Sequence, residues 1–235
     1  MAQTPEQIAP GVYRVDAIGL SNAISVLLIA DSDGWTLVDT GVRGSALRIQ
    51  EALAALGAGP GELKRIYLTH HHGDHIGGLP SVRWWATEAE VMASGYEARI
   101  ISGGRPPDSS SNIILGSLAS RQQLPTIPVD RVVREGDSFA GFRVVATPGH
   151  TNGHTSLLSD QHGLLFTADA FGCLPRKIRV GVRKAFCTDP LGAKLSAEKL
   201  LEEDFDTVIF SHGKPLREGA KQRLRQVVLN NRYER

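Results

Sequence analysis

A chain of 235 residues is long enough to bury a sizeable core in one domain, and its 41% hydrophobic and 22% charged residues exclude a disordered or fibrous class. The net charge of +1 offers no global basic field for nucleic acid and no acidic tail. Two cysteines, Cys173 and Cys187, rule out a disulfide scaffold. The polar start through Pro10 lacks a signal peptide's basic cluster and apolar run, and no apolar stretch approaches the ~18 residues of a membrane span. The expectation is a single domain over residues 1–235, cytoplasmic, with neither membrane nor nucleic acid as partner.

In chain order, residues 11–16 alternate as a strand. Residues 23–30 are apolar and branched, and 35–38 follow a turn at 31–34. Asp39-Thr40-Gly41 ends that third strand. Residues 45–56 read as an amphipathic helix stopped by Gly57, and 65–68 as a strand running into a histidine cluster. Ser102 to Asn112 is rich in Gly, Pro and Ser and reads as a mobile loop, either a surface excursion or a lid. Strands follow at 131–133, 142–146, 155–158 and 164–167, a helix at 191–201, a strand at 207–210 and a helix at 219–229. Strands cluster in each half with helices after them, an α+β pattern of two face-to-face sheets with helices outside.

The strongest local signal is Thr69-His70-His71-His72-Gly73-Asp74-His75. With 8 histidines and 13 aspartates in the chain, chance would place this H-x-H-x-D-H pattern in about one such sequence in two thousand. Imidazole ligates zinc, iron or manganese near neutral pH, and a carboxylate balances the charge of a second cation. Downstream, His150 follows Thr147-Pro148-Gly149, Asp169 ends the strand at 164–167, and His212 lies just past the strand at 207–210. Each is a ligand-type residue at a strand end followed by a turn.

As an ordered set these motifs, with Gly11-Val12-Tyr13 and Val38-Asp39-Thr40-Gly41 before them and Ser211-His212-Gly213 at the end, resemble the metallo-β-lactamase superfamily over nearly the whole chain. The resemblance implies a four-layer αββα sandwich with two divalent metal ions, zinc first, with Mn2+ or Fe2+ as alternatives. By matching motif, His70, His72 and His150 would hold the first metal, Asp74, His75 and His212 the second, and Asp169 would bridge them. It also implies that Asp39 supports the ligands. His154 is either a further support or a loop histidine, His71 faces away from the metals, and His162 sits in a hairpin turn.

Two cations about 3.5–4 Å apart hold a hydroxide as nucleophile, so no serine or cysteine is required; Asp74 is the candidate proton acceptor. Within the superfamily, true β-lactamases do not normally place aspartate at the bridging position, and lactonases carry a tyrosine where Gly172 stands. Only 23 residues follow His212, whereas glyoxalase II-like enzymes add a helical domain there. The expected function is hydrolysis of a small ester, thioester or lactone. The alternatives are a mononuclear-iron persulfide dioxygenase and a phosphodiesterase or nuclease. Arg176, Lys177, Arg179, Arg183 and Lys184 form a basic run after Asp169. It serves either an anionic small-molecule substrate or a solvated loop or homo-oligomer contact. Trp84-Trp85 reads as an acyl-chain wall or as one core and one surface ring.

Overall fold

The computed structural model describes residues 4–112, 124–173 and 177–231. They divide into two compact units: residues up to Pro106 with Leu124–Val133, and residues 107–112 with Arg134 onward.

The first unit holds a seven-stranded sheet in sequential order: β1 (Glu6–Ala9), β2 (Val12–Asp16), β3 (Ser25–Asp31), β4 (Gly34–Val38), β5 (Leu63–Leu68), β6 (Glu90–Ser94) and β7 (Arg131–Val133). β1 to β4 pair antiparallel and need only turns between them. β4 to β7 pair parallel and need crossovers. These are α1 (Ala46–Ala55), then the one-turn α2 (Gly73–Ile76) with α3 (Leu79–Trp85), then α4 (Gly95–Ile101). Ile49 and Leu53 of α1 and Leu79 and Val82 of α3 pack with Leu28, Leu37, Ile66 and Leu68 of the sheet. Leu27 and Ile29, on the other face of β3, are buried as well. That is why this strand is an unbroken apolar run rather than an alternating one.

The second unit holds a five-stranded sheet of β8 (Ser138–Phe139), β9 (Phe142–Ala146), β10 (Thr155–Ser159), β11 (Leu164–Phe166) and β14 (Thr207–Ile209), in the order β14-β11-β10-β9-β8. β12 (Phe171–Cys173) and β13 (Ile178–Val180) form a separate antiparallel pair. β11 and β14 are parallel, and α5 (Pro190–Leu200) lies between them in the chain. The last helix is α6 (Ala220–Leu229). Ala197 and Leu200 of α5 and Leu224 and Val228 of α6 share a core with Leu158, Leu165, Val208 and Phe210. Asp189 caps α5, its carboxylate accepting from the Leu191 and Gly192 amides at 3.0 Å each, and Pro190 supplies the first helical residue.

The periodic segments of the sequence appear as elements within a residue or two of their expected ends, and Gly57, at φ 81°, stops α1 as expected. β1, α3, β6, α4 and the β12–β13 pair lie outside those expectations. β6 has only three apolar residues, Val91, Met92 and Ala93, between polar ends, and α3 and α4 are barely two turns each. The segment read as mobile is a bonded loop as far as Asn112. The Asp108 carboxylate accepts the Asn152 amide at 2.8 Å, the Ser111 amide donates to the Cys187 carbonyl at 2.8 Å, and the Ser110 hydroxyl donates to the Ala185 carbonyl. Short polar side chains that bond backbone groups hold a loop as well as they advertise one. Among the described residues no helix is long and apolar enough to cross a membrane.

Candidate metal centre

In the first unit the donors sit at the end of β5. Asp39, at φ 61°, leaves β4 in a left-handed turn, and its amide donates to the Tyr67 carbonyl at 2.8 Å. Its buried carboxylate accepts from the Thr69 amide at 2.9 Å, the Thr69 hydroxyl at 2.9 Å and His75 Nδ1 at 2.7 Å. The Thr69 hydroxyl has one proton and gives it to Asp39, so it accepts from His70 Nδ1 at 3.0 Å. Both His70 and His75 are thereby set in the tautomer that presents Nε2 as the lone-pair nitrogen. His70 Nε2 lies 3.2 Å from His72 Nδ1, and His75 Nε2 lies 4.0 Å from the half-buried Asp74 carboxylate. The Thr40 amide and hydroxyl hold the His75 carbonyl at 2.6 and 2.8 Å. The chain then passes beneath Thr40, where a Cβ on Gly78 would stand 2.2 Å from the Thr40 carbonyl oxygen, so only glycine fits.

In the second unit three buried donors meet. One oxygen of Asp169 lies 3.2 Å from His150 Nε2 and 3.5 Å from His212 Nε2. His150 is fixed by the Pro148-Gly149 turn, against which the first turn of α5 packs. The Asp189 amide donates to the Gly149 carbonyl at 2.9 Å and the Thr188 amide to that of His150 at 3.0 Å. His212 is fixed from its carbonyl, which accepts the Cys173 amide of β12 at 2.6 Å. Asp169 follows Ala168, whose φ of 44° turns the chain out of β11.

The donor chemistry fits divalent cations. Two ligands of one tetrahedral zinc, each about 2.0–2.1 Å from the ion, stand about 3.3 Å apart. The His70–His72, His150–Asp169 and His212–Asp169 pairs are spaced at 3.2, 3.2 and 3.5 Å. A buried carboxylate clustered with imidazoles in low dielectric also calls for positive charge.

Of the other singled-out residues, His71 pairs its Nδ1 with the buried Glu97 of α4 at 2.6 Å. His154, which sequence spacing places either as a ligand support or in a loop, accepts the Asp169 amide at Nε2, 3.1 Å away. His162 lies in the β10–β11 turn. Trp84 is 82% exposed, whereas Trp85 packs against the first unit's core. Burial, then the charges of Asp169 and Asp189, pushes the Cys187 thiol up to about 12, so it stays protonated at neutral pH. In the basic run Lys177, Arg183 and Lys184 are exposed and Arg179 is half-buried; Arg176 lies outside the described residues. Glu97 was not legible, because nothing in the α4 sequence marks a buried glutamate.

A family model described as the metallo-beta-lactamase superfamily matches residues 22–212. The chain belongs to that superfamily. It is a metal-binding hydrolase of the metallo-β-lactamase sandwich fold, α+β as the sequence led one to expect. Among relatives, it is 29% identical over 219 residues to the uncharacterized protein YobT of Bacillus subtilis, covering 87% of this chain and 89% of that one. To a hydroxyacylglutathione hydrolase of Rhodopseudomonas palustris it is 32% identical over 152 residues, 62% of this chain and 51% of that one. The chain thus spans about half the length of that enzyme. A solved metallo-beta-lactamase with an HARLDQ motif from Cronobacter sakazakii is similar with a TM-score of 0.69 and 25% identity, over 90% of this chain and 79% of that one.

Proposed function

We propose that the chain is a dinuclear metal hydrolase that cleaves a small ester, thioester or lactone. In this reading His70, His72 and His150 hold one cation, Asp74, His75 and His212 the other, and Asp169 both. Zinc is the metal the donors suit best. The observation that carries the proposal is the Asp169 oxygen close to both His150 and His212, each of which the superfamily pattern assigns to a different metal. Bound there, divalent cations supply Lewis acidity and a water acidified toward pH 7. The chain's own residues do the rest. Asp39 holds the tautomers of His70 and His75. Asp74, a part-exposed carboxylate beside His75, serves in this reading as the proton acceptor.

The bond class rests on the hydroxyacylglutathione hydrolases among the relatives, whose name denotes thioester cleavage. An anionic group on the substrate is supported by Arg179 and Arg223. Arg179 belongs to the basic run that follows Asp169 in the chain, and both arginines lie near Cys173, whose amide donates to the His212 carbonyl. Arg179→Ala is expected to raise KM several-fold for an anionic ester and to leave a neutral ester unchanged; equal effects on both would remove the anionic assignment. The hydrolase reading itself is tested by turnover of an ester, thioester and lactone panel before and after chelation. Loss on chelation supports it, and chelator-insensitive turnover contradicts it.

A further inference from the structure

The strained turn that delivers Asp169 is held from both sides by one chain of side chains. The Asp169 amide donates to His154 Nε2 at 3.1 Å. An acceptor nitrogen carries no proton, so a neutral His154 bears its proton on Nδ1 and donates it to the Thr147 hydroxyl oxygen at 2.8 Å. The Ser156 hydroxyl gives its one proton to the Thr167 carbonyl, which can only accept, at 3.2 Å, so Ser156 Oγ accepts from the Thr147 hydroxyl at 3.0 Å. Every hydroxyl in the relay gives one proton and takes one, so the direction is set throughout. The ends of the relay are the carbonyl before Ala168 and the amide after it. Ala168, at φ 44°, is the residue between them. His154, Thr147, Ser156 and Thr167 are all buried to 1% exposure or less, so water does not compete for these bonds.

We propose that His154 is a positioning residue. Through the relay with Thr147 and Ser156 it clamps the left-handed turn at Ala168 and so aims the Asp169 carboxylate. The backbone at such a φ is disfavoured for alanine and persists only where its surroundings over-determine it. The relay supplies that determination from β9 and β10, the strands that flank the His150 turn. The consequence for metal binding rests on the dinuclear reading above; the clamp itself does not.

The test uses the full chain in two states. In the metal-free protein, nitrogen NMR of His154 is expected to show the Nδ1–H tautomer, and the Asp169 amide is expected to exchange slowly with solvent. Thr147→Val, which cannot accept the Nδ1 proton, is expected to lose the tautomer preference and speed that exchange. In the metal-loaded protein, His154→Leu is expected to weaken metal affinity about ten- to a hundredfold and to lower kcat with KM little changed. His154→Gln, whose amide oxygen can stand where Nε2 stood, is expected to recover most of both. An Nε2–H tautomer, or an Asp169 amide in His154→Leu as protected as in the wild type, would overturn the clamp. A protein that binds no divalent metal but shows the tautomer and the protection would sink the dinuclear reading and leave the clamp standing.

Discussion

At the scale of single residues, Asp39 has the widest reach. One carboxylate accepts from the Thr69 amide and hydroxyl and from His75 Nδ1, and through Thr69 it reaches His70. Asp39→Asn keeps the shape but replaces an acceptor oxygen with a donor and removes the charge. Metal affinity is expected to fall about ten- to a hundredfold with the fold retained, as read by chelator competition and circular dichroism. Unchanged affinity would mean the tautomers are set elsewhere. Cys187 illustrates the opposite case, a thiol in the neighbourhood of a chemical site that takes no part in it. Its thiol is pushed up to about 12, chiefly by burial. Native protein at pH 8 is therefore expected to resist alkylation at Cys187, with labelling confined to the part-exposed Cys173 until denaturant is added. Rapid native labelling at Cys187 would contradict its burial.

At the scale of elements, His150, Asp169 and His212 each adjoin a residue of positive φ, Gly149, Ala168 and Gly213, whereas Asp74 and His75 lie in the one-turn α2. Gly149, at φ 130°, is the tightest: a Cβ there would stand 2.0 Å from the Ala193 nitrogen of α5. Gly149→Ala must push the α5 end away from the His150 turn, and about 2–4 kcal/mol of stability is expected to go with it. A denaturant melt with an unchanged midpoint would refute this packing. These turns also show what a sequence can reveal. The His70–His75 cluster, His150, Asp169 and His212 are visible because metal chemistry restricts residue type at fixed spacing. β3 and α1 are visible because burial imposes period. Glu97 beneath His71 and the role of His154 are not, since the meaning of each comes from a partner distant in the chain, 26 residues away for His71–Glu97 and 15 for His154–Asp169. α3, β6 and α4 escape notice because they are too short to establish a period. The loop reaching Asn112 escapes for a different reason, since its composition is that of a mobile segment while its bonds to Asn152, Ala185 and Cys187 are specific.

At the scale of the whole molecule, the residues proposed as ligands fall in both compact units. His70, His72, Asp74 and His75 belong to the first, and His150, Asp169 and His212 to the second. Each unit has its own sheet and its own helix-backed core that hold its candidate residues in place. The measurement that bears most directly on the proposed centre is metal content by elemental analysis of protein purified without added metal, run in parallel on Asp169→Ala. About two zinc or manganese ions per chain, falling to one or fewer in the variant with turnover lost, is the expected result. About one iron per chain, unaltered by the substitution and accompanied by oxygen uptake on a persulfide, would contradict it.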